Sequence, residues 1–168
     1  MVLGRLSEGN KYAGKRYRIH EKKMAEYRKE LEPLVRYLPW LEQATEKTAS
    51  SIYRGNGLDS PNALAVPVYD STLMSFIKEA TASAFMDRNY MYIYTRKSIK
   101  SPEDERRLIE SADYKSWDVL CGILSNYVLG GRTRAVLWSQ GASERIFYLC
   151  VSKMLQIVTE WNAERNLK

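Results

Sequence analysis

The 168-residue chain has one histidine, two cysteines and three phenylalanines. Each scarcity removes a class of chemistry. A structural zinc site needs closely spaced Cys/His pairs, and Cys121, Cys150 and the lone His20 are far apart in the chain. No metal is expected, and no cofactor. Two cysteines make no disulfide framework. Both sit in apolar runs, Val119-Leu120-Cys121 and Leu149-Cys150-Val151, where a free thiol behaves as a small, inert hydrophobe. A Cys–His nucleophile pair using His20 is therefore not expected.

Phosphate and nucleophile signatures are missing too. There is no G-x-x-x-x-G-K-[ST] loop, no G-x-G-x-x-G after a strand and no G-x-S-x-G elbow. Gly55-Asn56-Gly57 reads as a turn. No apolar run approaches the roughly 20 residues of a spanning helix. Met1 to Ser7 lack an apolar signal-peptide core, and Val2 stands where myristoylation requires glycine. The expectation is a soluble, reduced, cytoplasmic protein with no membrane partner.

What remains is ordinary in bulk and uneven in charge. With 45% hydrophobic and 27% charged residues, the chain fits one globular domain with its own core. The net charge is +6. Residues 1–23 hold seven Lys/Arg (Arg5, Lys11, Lys15, Arg16, Arg18, Lys22, Lys23) against Glu8 and Glu21, a net +5. A flexible basic arm is expected over residues 1–19, and a single helical domain over 20–168. In the arm Tyr12 and Tyr17 interleave with Lys11, Lys15, Arg16 and Arg18, a mixture suited to base stacking with phosphate contact. A solvated tail that aids solubility uses the same residues.

Periodicity predicts a mainly α fold, a bundle of five to seven helices. The one open alternative is a short β-strand pair near residues 90–97. From Ile19, apolar residues recur at three- and four-residue steps, with Pro33 expected to kink or divide the run and Pro39 to start a new turn. Residues 54–67, rich in Gly, Asn and Pro, are expected to form a mobile loop. Asp70 should cap a helix over about 71–85. Ser101-Pro102-Glu103-Asp104 has the form of a capping box. Gly130-Gly131 should end a helix as a left-handed cap. A short helix from Arg132 should break at Gly141, and Ser143 should cap a last helix whose wide apolar face places it at the centre.

Tyrosine is the compositional oddity: twelve Tyr against three Phe. In a strand, Tyr90, Tyr92 and Tyr94 share one face, flanked by Arg88, Arg96 and Lys97. That is a stacking platform with basic edges, or equally a half-buried core edge or a protein-binding surface. Glu103, Asp104 and Glu105 fit a solvated helix start, where the helix dipole favours anions. Asp59, Asp70, Asp87 and Asp113 would make a hydrolytic metal site only by converging in space. A helix-turn-helix over 118–134 would present Arg132, Thr133 and Arg134 to a groove, but Ala135 to Trp138 read as core.

Several stretches carry a family resemblance: Val68-Tyr69-Asp70-Ser71-Thr72-Leu73, Trp117-Asp118-Val119-Leu120, Tyr127-Val128-Leu129-Gly130-Gly131-Arg132-Thr133, Leu137-Trp138-Ser139-Gln140 and Ile146-Phe147. Over roughly residues 37–161 the chain resembles the domain of unknown function family number 6508, small proteins of Firmicutes genomes and mobile elements. The resemblance implies a bacterial mobile-element context; no activity is attached to the family, so it carries over no functional residue.

The expectation is a non-enzymatic binding protein that engages nucleic acid or a nucleoprotein. Lys11, Lys15, Arg16 and Arg18 would contact phosphate, and Tyr92, Tyr94 and Arg96 would stack or contact a partner. The alternative is a protein-binding regulator or inhibitor, for example of a host-defence nuclease complex. A carboxylate-dependent hydrolase comes last.

Overall fold

The computed structural model describes residues 23–53 and 66–166. The chain is mainly α. Residues 23–35 are helical (α1), followed by α2 (Leu38–Gln43), α3 (Glu46–Ala49), α4 (Ser71–Ala82), α5 (Tyr90–Arg96), α6 (Pro102–Glu110), α7 (Trp117–Gly130), α8 (Val136–Ser143) and α9 (Ile146–Asn166). A 3-10 turn, Tyr114–Ser116, precedes α7. Among the described residues the nine α-helices exceed the expected five to seven, because short turns such as α2 and α3 split what periodicity joins.

The strand pair exists, but not near residues 90–97. It is β1 (Ser50–Tyr53) with β2 (Val66–Tyr69), antiparallel, with Ser50 opposite Tyr69 and Tyr53 opposite Val66. Residues 90–96 are helix α5 instead. Of the expected loop over 54–67, residues 54–65 lie outside the described residues, while Val66 and Pro67 belong to β2. The arm, residues 1–19, lies outside them as well.

Local chemistry sets most boundaries. Asp70 caps α4 by accepting a hydrogen bond from Thr72 N at 2.7 Å. Ser101 Oγ accepts from Asp104 N at 3.3 Å, with Pro102 in the first turn of α6. Asp104 returns the contact one residue earlier than a standard box, accepting from Lys100 N at 3.0 Å. Those backbone donors hold its carboxyl below the usual range. Thr45 and Thr48 form a reciprocal capping box around α3. Pro33 sits inside α1, close enough to its end that only a short turn separates it from α2.

The core centres on α7, in which Trp117, Val119, Leu120, Ile123, Leu124, Tyr127 and Val128 are all buried. Its buried Ser125 hydroxyl donates to Cys121 O at 2.6 Å and accepts from Asp87 N at 2.8 Å, so that group is satisfied, whereas Trp117 Nε1 is buried without a partner. The α9 helix packs among α2, α6, α7 and α8, as its wide apolar face implies. Ile146, Phe147, Cys150, Val151, Met154, Ile157 and Val158 face inward at helical spacing, while Gln156, Thr159 and Glu160 are exposed. Tyr27 of α1 stacks on Trp117 with ring centroids 4.9 Å apart, and Phe85 meets both rings edge-on.

Three expectations at the C-terminal end are corrected. Gly131 caps α7 in right-handed backbone (φ −64°, ψ −17°), not left-handed. It is glycine because a methyl there would overlap the Trp138 indole, which donates from Nε1 to Val128 O at 3.0 Å. Gly141 does not break a helix. It lies inside α8, where a Cβ would stand 2.5 Å from the Phe147 ring. Ser143 ends α8 rather than capping α9. The turn is made by Arg145, whose φ of 64° is left-handed.

Candidate functional site

Helix α5 is built from a period of three to four, not two. Ile93 is buried, and Tyr90 and Tyr94 are half-buried beside it. The helix lies so close to α7 that a Cβ on Gly122 would stand 2.8 Å from Ile93 Cγ1. Asp87 anchors its approach, accepting from Asn89 N at 2.8 Å. Lys97 N bonds Ile93 O at 2.9 Å, and Ser98, at a left-handed φ of 53°, ends the helix.

The outer face carries Met91, Tyr92, Thr95 and Arg96. Met91 is 59% exposed and Tyr92 52%, high values for such large apolar side chains. The Arg96 guanidinium lies 5.6 Å from the Tyr92 ring centroid, within cation–π range. It donates to Asp118 Oδ2 at 2.8 Å. Arg88, Lys97 and Lys100 are exposed around the same helix. Asp118, paired with Arg96, and Asp87, turned to backbone, are the nearby acids.

The helical period divides the tyrosines. Tyr92 and Arg96, four apart, share the outer face. Tyr94 turns inward, its Oη buried without a hydrogen-bond partner, which removes it from a shared stacking platform. Lys11, Lys15, Arg16 and Arg18, as well as His20 and Asp59, lie outside the described residues.

Tyr94 belongs to a buried polar cluster that dipole reasoning passes over. Glu105 is only 5% exposed, not solvated as expected. Tyr127 Oη donates to its Oε1 at 2.9 Å. Its Oε2 is buried and unpartnered, as is Tyr94 Oη. Burial pushes the Glu105 carboxyl above its usual range, opposed in part by the Tyr127 and Tyr94 hydroxyls. The signal is present in the sequence, since Glu105, Leu108 and Ile109 occupy one helical stripe.

The other expected constellations come apart. Asp70 and Asp113 are engaged as caps. Among the described residues no three His, Cys, Asp or Glu side chains group as a metal site. Burial pushes both cysteine thiols up, away from nucleophilic reactivity at neutral pH. Arg132, Thr133 and Arg134 are exposed, but in the turn before α8. That helix buries Leu137 and Ala142, so it packs as core rather than offering a recognition face. Among the described residues no helix is long and apolar enough to cross a membrane. Comparison with family models, curated proteins and solved structures gives no match.

Proposed function

We propose that this protein is a non-enzymatic binding protein that engages nucleic acid or a nucleoprotein, with the outer face of α5 as its aromatic contact and the basic residues before α1 as its phosphate contacts. The observation that supports this is the exposed Tyr92 ring beside the Arg96 guanidinium, on a helix flanked by Arg88, Lys97 and Lys100. A base stacks on an exposed ring without regard to sequence, and nearby cations meet the backbone. Lys11, Lys15, Arg16 and Arg18 supply the larger electrostatic share by displacing counterions. The resemblance stated above adds a setting, a bacterial mobile element.

Met91, more exposed than Tyr92, favours a second reading, a protein-binding regulator or inhibitor. An apolar contact of that kind weakens little with salt. The two readings separate in one titration of the full chain, and of a chain lacking residues 1–19, against single- and double-stranded DNA and RNA over a salt series. Binding that falls steeply with salt and weakens on truncation is the expected result. Binding no tighter than about 10⁻⁴ M at physiological salt, the weak end of the non-specific range, removes the nucleic-acid reading.

A further inference from the structure

The Glu105 carboxyl sits where four helices meet. Its own helix α6 supplies Asp104 and Arg106 as neighbours. Arg106 is turned away to Glu144, at 3.0 Å to the carboxylate and 3.2 Å to the carbonyl. Asp104 is held by Arg107 at 2.7 Å and by the Lys100 amide. From α5 comes Tyr94, from α7 Tyr127 and from α9 Cys150, each of which interacts with the carboxyl electrostatically. The one cation of α5, Arg96, is spent on Asp118. Thus, among the described residues, the groups converging on Glu105 are hydroxyls, a thiol and further acids. The hydroxyls favour the ionised form in part, and the cation that favours it, Arg106, is shared with Glu144.

A buried carboxylate with one hydrogen bond and no dedicated cation is costly. A neutral carboxyl in the same place is not. It accepts from Tyr127 on Oε1, and an O–H on Oε2 can donate to Tyr94 Oη, the other buried oxygen that lacks a partner. Tyr94 sits one residue from Ile93, the other anchor of α5. Ser98 in left-handed backbone closes the link toward α6, a conformation that non-glycine residues hold only when their surroundings enforce it.

We propose that Glu105 is a proton-operated latch that clamps α5 onto α6 and α7: closed when its carboxyl is neutral, loosened when it ionises. The device concerns how α5 is held, and does not depend on what the outer face of α5 binds. Its sign follows from burial. The folded protein holds the proton more tightly than the unlatched one. The stabilisation is therefore fully present below the free carboxylate value and is lost as pH rises through the folded value. Ionisation needs water at Oε2, and water is admitted by local opening of α5, which carries Tyr94.

The test is amide hydrogen exchange of the full chain as wild type, Glu105→Gln and Glu103→Gln, at a series of pH values. The variants are compared with wild type at each pH, so intrinsic exchange cancels. Glutamine is isosteric and permanently neutral, and Glu103 is an exposed acid on the same helix. Exchange in residues 90–96 of wild type should accelerate relative to Glu105→Gln as pH rises, by about tenfold for each pKa unit separating the folded and free values. Glu103→Gln should follow wild type. Carbon-13 carboxyl NMR of the wild type measures the same group without substitution, and should show Glu105 titrating above the other glutamates. The proposal is overturned if wild type and Glu105→Gln exchange in parallel at every pH, or if Glu105 titrates with the exposed acids.

Discussion

Trp117→Ala should lower the stability of the fold by about 3 kcal/mol, the lower end of the range for emptying a buried aromatic site. The indole is 1% exposed at the first position of α7, under the stacked Tyr27 ring and the edge of Phe85. Its removal opens a cavity among α1, α7 and the segment after α4, none of which can collapse without moving a helix. The value lies low in the range because Trp117 Nε1 is buried and unpartnered, and deleting an unsatisfied donor returns part of the loss. Trp117→Phe discriminates between these effects. It keeps much of the packing and removes the same N–H, so it should cost far less than alanine. Denaturant unfolding of the two variants measures the difference. A second readout is local. Burial holds the Tyr27 phenol up to about 12. Its value should fall toward the ordinary figure of about 10 in the alanine variant, seen as earlier phenolate absorbance on titration.

Gly141→Ala should destabilise the protein by about 1–3 kcal/mol, the usual cost of overpacking a filled core. Helix propensity alone predicts the opposite, a gain of about 1 kcal/mol for replacing glycine inside a helix. Packing wins because of what stands opposite. The new methyl would lie 2.5 Å from Phe147 Cζ and 2.6 Å from Cε2. The ring cannot retreat, being fully buried between Phe76, 5.0 Å away, and Tyr127, 6.0 Å away. Relief requires α8 to shift off α9. Gly141→Ala paired with Phe147→Leu should recover part of the loss, a non-additive result that thermal unfolding of the double-mutant cycle would show.

Gly141 also shows why parts of the fold stay hidden in the sequence. A glycine inside an apolar pattern reads as a break, yet here it marks a close approach whose partner, Phe147, belongs to the next helix. Gly131 misleads in the same way, through Trp138. The caps at Asp70 and Ser101 were legible because their chemistry is local, a side chain bonding an amide two or three residues ahead. The mainly α class was legible for the same reason, since three- and four-residue periodicity is local too.

The site was half legible. Tyr92 and Arg96 stand out as an exposed aromatic–basic pair, but Tyr90-Met91-Tyr92-Ile93-Tyr94 satisfies both a period of two and a helical stripe. With no strand among the described residues for 90–97 to pair with, the helix that buries Ile93 against Gly122 wins, and Tyr94 goes inward with it. Glu105 was masked by a competing local explanation. The first turn of a helix suits acids on dipole grounds, and that account holds for Glu103 and Asp104, whereas Glu105 continues the stripe of Leu108 and Ile109 into the core.

The claim that the outer face of α5 is the contact surface is tested most directly by the affinity of Tyr92→Ala and Arg96→Gln for a single-stranded oligonucleotide, measured on the full chain over a salt series. Loss of one stacking ring should weaken binding by about 1–3 kcal/mol at every salt concentration. Loss of the guanidinium should weaken it while lowering the salt slope by about one; a smaller change in slope would mean that Asp118 keeps that charge from the ligand. Unchanged affinity and slope in both variants, with the wild type still binding, would contradict the account and move the contact away from α5.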